Sequence, residues 1–175
     1  MPASVLVAYA TRYGSTKEVA EKVAAALREG GREVAVENLK DVRSVEDYCA
    51  VVVGVPLYIG SMLGDAKRFL TQHQASLTKR PLAIFSLGPL SLEEAEAKGA
   101  REQLDKELAK FPALKPVEVA LFAGKFDPKK LHFPDNLLTV IPASPLHDRP
   151  ASDKRDWDAI GAWASQLPAK LGLKA

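Results

Sequence analysis

A single cysteine, Cys49, stands in a chain of 175 residues, so no internal disulfide and no multi-cysteine metal site can form. Its place beside a valine-rich run marks it as a small buried hydrophobe. Histidine is scarce too. His73, His132 and His147 are scattered along the chain, without the His-x-x-x-His or Cys/His spacing that a metal centre needs. Long apolar runs are missing: the longest, Ala50 to Ile59, is broken by Gly54 and Pro56, which excludes a membrane-spanning helix. The N-terminus lacks a charged region followed by a long apolar one, so a cytoplasmic protein without a secretory signal is expected. Net charge is only +2, with both signs interspersed, and this argues against nucleic acid or an anionic membrane as partner.

Several chemistries are excluded by missing motifs. The chain has no Gly-x-x-x-x-Gly-Lys-Ser/Thr and no Gly-x-Gly-x-x-Gly after its first strand, which removes two common phosphate-binding designs. No Gly-x-Ser-x-Gly nucleophile elbow occurs. The residues just after the first strand are Thr11-Arg12 rather than an acidic pair, so phosphotransfer through aspartate is not expected. Apolar residues at 47% and charged residues at 26% are ordinary for a folded domain, and the length suits one domain over residues 1–175.

What is present is an alternation of strand and helix. Val5 to Ala10 is a short apolar run bounded by turn chemistry, which reads as a strand covered on both faces. Val19, Val23 and Leu27 then recur at i, i+4 and i+8, with Gly30-Gly31 ending the helix. Further strands are expected at Glu33 to Leu39, Ala50 to Pro56, Pro81 to Leu87 and Val117 to Ala123. Leu63, Ala66, Phe69, Leu70 and His73 form one intervening helical stripe, and Ala97, Ala100, Leu104, Leu108 and Phe111 mark an amphipathic helix over residues 92–111. Trp157, Ile160, Ala164, Leu167 and Leu171 mark a last helix opened by Ser152 or Asp153. Five such repeats predict an α/β doubly wound, five-stranded parallel sheet of order 2-1-3-4-5 with helices on both faces. That order places ligands at the carboxyl ends of the strands where the order reverses.

The loops at those ends carry the candidate site. Residues 11–16, Thr11, Arg12, Tyr13, Gly14, Ser15 and Thr16, join the first strand directly to a helix N-terminus, where unpaired backbone N–H groups and the helix dipole favour an anion. Thr11, Ser15 and Thr16 add hydroxyls, and Arg12 adds a charge-assisted donor worth roughly 1.5–3 kcal/mol. A plain reading remains open, in which Ser15 or Thr16 only caps the helix and Gly14 only turns the chain. The second loop, Pro56, Leu57, Tyr58, Ile59, Gly60 and Ser61, offers a stacking ring in Tyr58, worth roughly 0.5–1.5 kcal/mol beyond burial. The third, Ser86, Leu87, Gly88, Pro89 and Leu90, has Gly88 for a tight turn and no aromatic. Residues 124–154 form a long insertion with prolines at 128, 134, 142, 145 and 150, too interrupted for one helix, though Asn136 to Ile141 suits a short strand or helical turn. A loop this long in a compact domain is usually functional. Its Lys125, Lys129 and Lys130 either face solvent or steer an anionic partner.

The segment Thr-x-Tyr-Gly-Ser-Thr resembles the FMN phosphate loop of the flavodoxins. Gly-Val-Pro-Leu-Tyr-Ile-Gly at 54–60, Phe-Ala-Gly-Lys after the fifth strand and the final Arg-Asp-Trp-Asp helix extend the likeness to the branch containing the menaquinone-dependent protoporphyrinogen dehydrogenases. The insertion here is proline-rich, with Phe126 and Phe133 as its aromatics, whereas that family's is basic and aromatic-rich. The resemblance implies one bound FMN, its phosphate on residues 11–16 and its ring between Tyr58 and the 86–90 loop, where Leu87 or Pro89 covers a face that many flavodoxins cover with an aromatic. Three functions follow: an FMN-dependent oxidoreductase using a quinone or small organic substrate, a one-electron carrier docking on redox partner proteins, or a flavin-free binding domain that kept the fold. The insertion is expected to cover or flank the exposed flavin edge.

Overall fold

In the computed structural model, which describes residues 4–58, 60–90 and 93–173, the expected sheet is present. Strands β1 (Val5–Tyr9), β2 (Val34–Asn38), β3 (Ala50–Tyr58), β5 (Leu82–Leu87) and β6 (Glu118–Phe122) lie in the order β2-β1-β3-β5-β6, with the two-residue β4 (Ser61–Met62) attached to β3. The five long strands are parallel, with Val5 level with Val34 on one side and Ala50 on the other. Counting only these five in chain order, the arrangement is the predicted 2-1-3-4-5.

Burial follows from position in that order. β1 and β5 are buried throughout and β3 over its first six residues, whereas β2 and β6, at the edges, are half-buried. Because successive side chains alternate across a sheet, Val5, Val7 and Tyr9 pack on one face with Val19, Val23, Leu27, Ile160 and Leu167. Leu6 and Ala8 pack on the other with Phe69, Leu70 and Leu104. Helices α1 (Ser15–Glu29) and α5 (Trp157–Lys170) therefore cover the first face, and α2 (Gly64–Gln72), α3 (Gln74–Leu77) and α4 (Glu94–Leu108) the second.

Three details depart from expectation. β3 continues through Pro56 to Tyr58 and pairs with β4, Leu57 with Met62 and Tyr58 with Ser61; residues 56–58 are thus strand, and Gly60 has φ 74°. Second, α5 is capped by Asp156, whose carboxylate accepts from the Ala159 N–H at 2.9 Å. Ser152 and Asp153 do not open that helix; they form β8, which pairs antiparallel with β7 (Lys125–Phe126). Third, the 124–154 insertion has a small core of its own. Phe126, Leu131 and Leu146 are buried together against Tyr13, Leu90 and Leu138, and short 3₁₀ turns occupy Pro128–Lys130 and Asp135–Thr139. The expected element at 136–141 is therefore a 3₁₀ turn beginning one residue earlier. No helix among the described residues is long and apolar enough to cross a membrane.

Candidate functional site

The junction at 11–16 carries the chain from β1 directly into α1. Gly14 is the N-cap of α1 at φ 92°, a left-handed conformation that glycine adopts without strain, and no side chain caps the helix. Neither Ser15 nor Thr16 is a cap: both lie inside the first turn. Thr11 instead stabilises the loop, its Oγ1 accepting from the Gly14 N–H at 2.8 Å. The first helical hydrogen bond runs from Glu18 N–H to the Gly14 carbonyl at 3.2 Å, which leaves the amides of Ser15, Thr16 and Lys17 with no acceptor inside the helix. Thr16 is fully buried, and its Oγ1 has no hydrogen-bond partner among the described residues. A buried hydroxyl in that state costs roughly 1–3 kcal/mol, so its presence beside three amides without a helical acceptor points to an acceptor that the described residues do not supply.

Ser15 and Thr16 open onto a cavity of about 440 Å³, also lined by Arg12, Tyr13, Pro56, Leu57, Tyr58, Gly60, Leu87, Gly88 and Pro89. The size falls in the range of small-molecule sites. Three of the sequence-derived residues stand back from it. Thr11 and Gly14 shape the loop from behind, and Ser86 is fully buried in β5, donating to the Val55 carbonyl at 2.7 Å. Ser61 is likewise occupied, accepting from Lys67 Nζ at 2.9 Å. Ile59 lies outside the described residues. Gly88 does not reverse the chain with a positive φ; a Cβ there would stand 3.2 Å from Leu121 Cδ1 and 3.4 Å from Leu57 Cδ1, so its role is to let the wall close tightly. That wall is aliphatic, formed by Leu87, Pro89 and Leu90.

The insertion supplies the opposite wall. Lys125, Phe126, Lys130, Leu131, Leu146 and Arg149 all line the same cavity. A polar cluster joins the two sides: Arg12 Nε lies 2.5 Å from Asp135 Oδ2, and the Tyr13 hydroxyl donates to the same oxygen. The Arg12 guanidinium also stands over the Tyr58 ring, 5.0 Å from its centroid, while Tyr13 and Tyr58 meet at a tilt with centroids 6.2 Å apart. Burial acts to raise the Asp135 pKa, but hydrogen bonds from Tyr13 and Tyr58, and next the Arg12 charge, overcome it and hold the carboxyl below its ordinary range. Burial, and next the Asp135 charge, push the Tyr58 hydroxyl the other way, so it stays protonated at neutral pH. That hydroxyl faces the Asp135 carboxylate and has no other hydrogen-bond partner among the described residues.

Arg155 braces the junction from outside. Its side chain is 2% exposed, pairs with Asp153 at 2.6 Å and Glu18 at 2.7 Å, donates to the Ser15 carbonyl at 3.3 Å and lies 4.6 Å from the Trp157 ring centroid. Hydrogen bonding from Arg155 is the main cause of a depressed Asp153 pKa. Sequence reasoning had Arg155 only as part of a family motif, and Asp135 and Arg149 not at all. An Arg155→Met variant is expected to lose about 1.5–3 kcal/mol, nearer the lower figure because Glu18 and Asp153 are partly solvated and rehydrate. Urea unfolding measures that loss.

Three comparisons bear on this geometry. The family model described as "Flavodoxin domain" matches residues 6–140. The chain is 21% identical over 168 residues to the protoporphyrinogen IX dehydrogenase [quinone] of Escherichia coli K12, covering 93% of each chain. Among solved structures it is similar to a flavodoxin from the domain Archaea, with TM-score 0.59 at 16% identity over 97% of this chain and 99% of that one. It is also similar to Flavodoxin 1 of Bacillus cereus, with TM-score 0.57 at 17% identity over 98% of this chain and 99% of that one. The structural likenesses establish the fold.

Proposed function

From a chain that belongs to the flavodoxin domain family, its model spanning 6–140, we propose an FMN-dependent oxidoreductase that exchanges electrons with a quinone or another small organic substrate at the flavin cavity. The observation that carries this reading is the cavity itself. In it the unpaired Thr16 hydroxyl and the α1 first-turn amides without a helical acceptor stand at one end, and the Tyr58 ring and the aliphatic Leu87 and Pro89 lie beyond them. These residues fit a cofactor that is anionic at one end and flat and apolar at the other. The cofactor is FMN, and when bound it supplies one- and two-electron redox chemistry that no side chain here provides.

The chain's own residues bind, orient and shelter it. Ser15, Thr16 and the amides of 15–17 meet the phosphate, and Tyr58 presents a ring face. Leu87, Pro89 and the insertion residues Phe126, Leu131 and Leu146 exclude water from the ring site. A cleft with an aliphatic side at Leu87, Pro89 and Leu90 suits a small organic reactant, and the quinone assignment draws on the Escherichia coli relative. One observation favours the carrier reading instead: Phe133, Leu137, Val140 and Ile141 are exposed on the insertion, apolar surface of the kind that docks on another protein.

FMN titrated into the purified protein is expected to lose its fluorescence saturably at one equivalent; absence of saturation overturns the cofactor. Tyr58→Ala is expected to weaken FMN by about 0.5–1.5 kcal/mol from lost stacking, and further to the extent that Arg12 and Tyr13, which rest on its ring, are loosened. Holoprotein reduced with one equivalent of dithionite and mixed with a soluble quinone distinguishes the two functions. Rapid two-electron reoxidation in that single turnover supports the enzyme, and reoxidation by an acceptor protein alone supports the carrier.

A further inference from the structure

Asp135 is a nine-tenths buried carboxylate in the middle of the insertion, yet its polar partners come from elsewhere in the chain: Arg12 and Tyr13 from the phosphate loop and Tyr58 from the end of β3. A buried carboxylate is retained only if its charge is compensated, so this contact is a fixed joint and not a surface ion pair. It has a second strand of support: the His132 N–H approaches the Tyr13 hydroxyl at 3.4 Å, and the two rings lie 5.8 Å apart. The loop segment gripped this way leads directly into Gly14, whose left-handed backbone sets the angle at which the α1 amides face the cavity.

We propose that Asp135 is a positioning residue for the cofactor, latching the insertion to Arg12 and Tyr13 so that the phosphate cradle is held in its binding geometry and the bound FMN is retained. The proposal rests on the FMN reading of the cavity. The latch acts without touching the phosphate. It holds Arg12 across the Tyr58 face and Tyr13 against the insertion core, and so orders residues 11–14 before the cofactor arrives; ordering met in advance is not subtracted from binding. Opening the joint frees both the loop and the insertion wall, and the chief consequence is faster release.

Asp135→Asn keeps the side-chain shape and one acceptor but removes the charge; Arg12→Gln removes the other half of the pair. Each is expected to speed FMN release tenfold or more, followed as fluorescence recovery on dilution, and the double variant is expected to release no faster than either single one. In the cofactor-free proteins, hydrogen exchange is expected to rise at residues 12–14 and 132–139 together in both variants. If Arg12→Gln alone speeds release and Asp135→Asn matches the parent or holds FMN more tightly, Arg12 is a direct phosphate ligand and the latch is overturned. Additive effects overturn it too. Should Asp135→Asn fail to fold, Arg12→Gln and Tyr13→Phe cut the same joint from its more exposed side, and unchanged release in both overturns the proposal. Failure of the parent protein to bind FMN removes the cofactor reading instead, and is seen before any variant is made.

Discussion

Combining Ser15→Ala with Thr16→Val is expected to weaken FMN by a hundredfold or more while changing riboflavin affinity less than twofold. Each hydroxyl that donates to a dianionic phosphate contributes about 1.5–3 kcal/mol, so losing two removes at least about 3 kcal/mol, or two decades. Riboflavin lacks the phosphate and reports only on the ring site proposed at Tyr58, Leu87 and Pro89. The same pair of substitutions is expected to act in the opposite direction on the free protein. Thr16 is fully buried with its Oγ1 unpaired, and valine has nearly the same shape without the stranded oxygen, so the cofactor-free melting temperature stays level or rises. Weaker binding joined to equal or greater stability is the signature of a residue kept for a ligand; a fall in both would make Thr16 a structural residue. Fluorescence titrations with the two flavins and a calorimetric melt of the cofactor-free protein measure all three quantities.

Sequence pattern revealed the sheet because its signals are local. β1 and β3 read as continuous apolar runs since both faces of a central strand are covered, and the strand order follows from connection chemistry once strand and helix alternate. The 11–16 junction was legible as a turn into a helix, while its sequence left open whether Ser15 or Thr16 only caps that helix; the structure places Gly14 at the N-cap with no side-chain cap. What escaped was set at a distance. Asp135 gains its meaning from Arg12 and Tyr13, more than a hundred residues away in the chain, and no periodicity links them. Ser152 and Asp153 carry good capping chemistry, but β7 lies alongside them and Arg155 draws the Asp153 carboxylate away, so the cap moves to Asp156. Ser86 is polar at the end of an apolar strand and on that ground reads as a site residue. The Val55 carbonyl accepts its proton inside the sheet, which a one-dimensional pattern does not show. The hairpin closing β3 escaped for a related reason, since Pro56 suggests a strand end unless a partner such as β4 is present to continue it.

The second large effect is expected at the junction of Gly54 and Phe85, which lies under the site. Phe85 is fully buried at the centre of β5, in edge contact with Trp163 at 6.0 Å and near Phe122 at 6.5 Å. Its ring covers Gly54 so closely that a Cβ there would fall 2.3 Å from Cζ. Phe85→Ala is expected to cost about 3–5 kcal/mol, a large part of a typical total of about 5–15, and to lower the melting temperature by roughly 6–20 °C. Gly54→Ala pushes a methyl into the ring and costs about 1–3 kcal/mol by overpacking. In the double variant the new methyl occupies space the ring has left, so the two losses do not add: the combination is expected to be at least about 1 kcal/mol more stable than their sum. Additive losses would mean the ring moves aside at no cost and that Gly54 is not there to seat it. The site shares in the outcome because β3 ends in Tyr58 and β5 in Leu87, so a shift between these paired strands moves the two walls of the ring site apart. Phe85→Ala is therefore expected to weaken FMN and riboflavin equally, the reverse of the selectivity shown by the cradle variants.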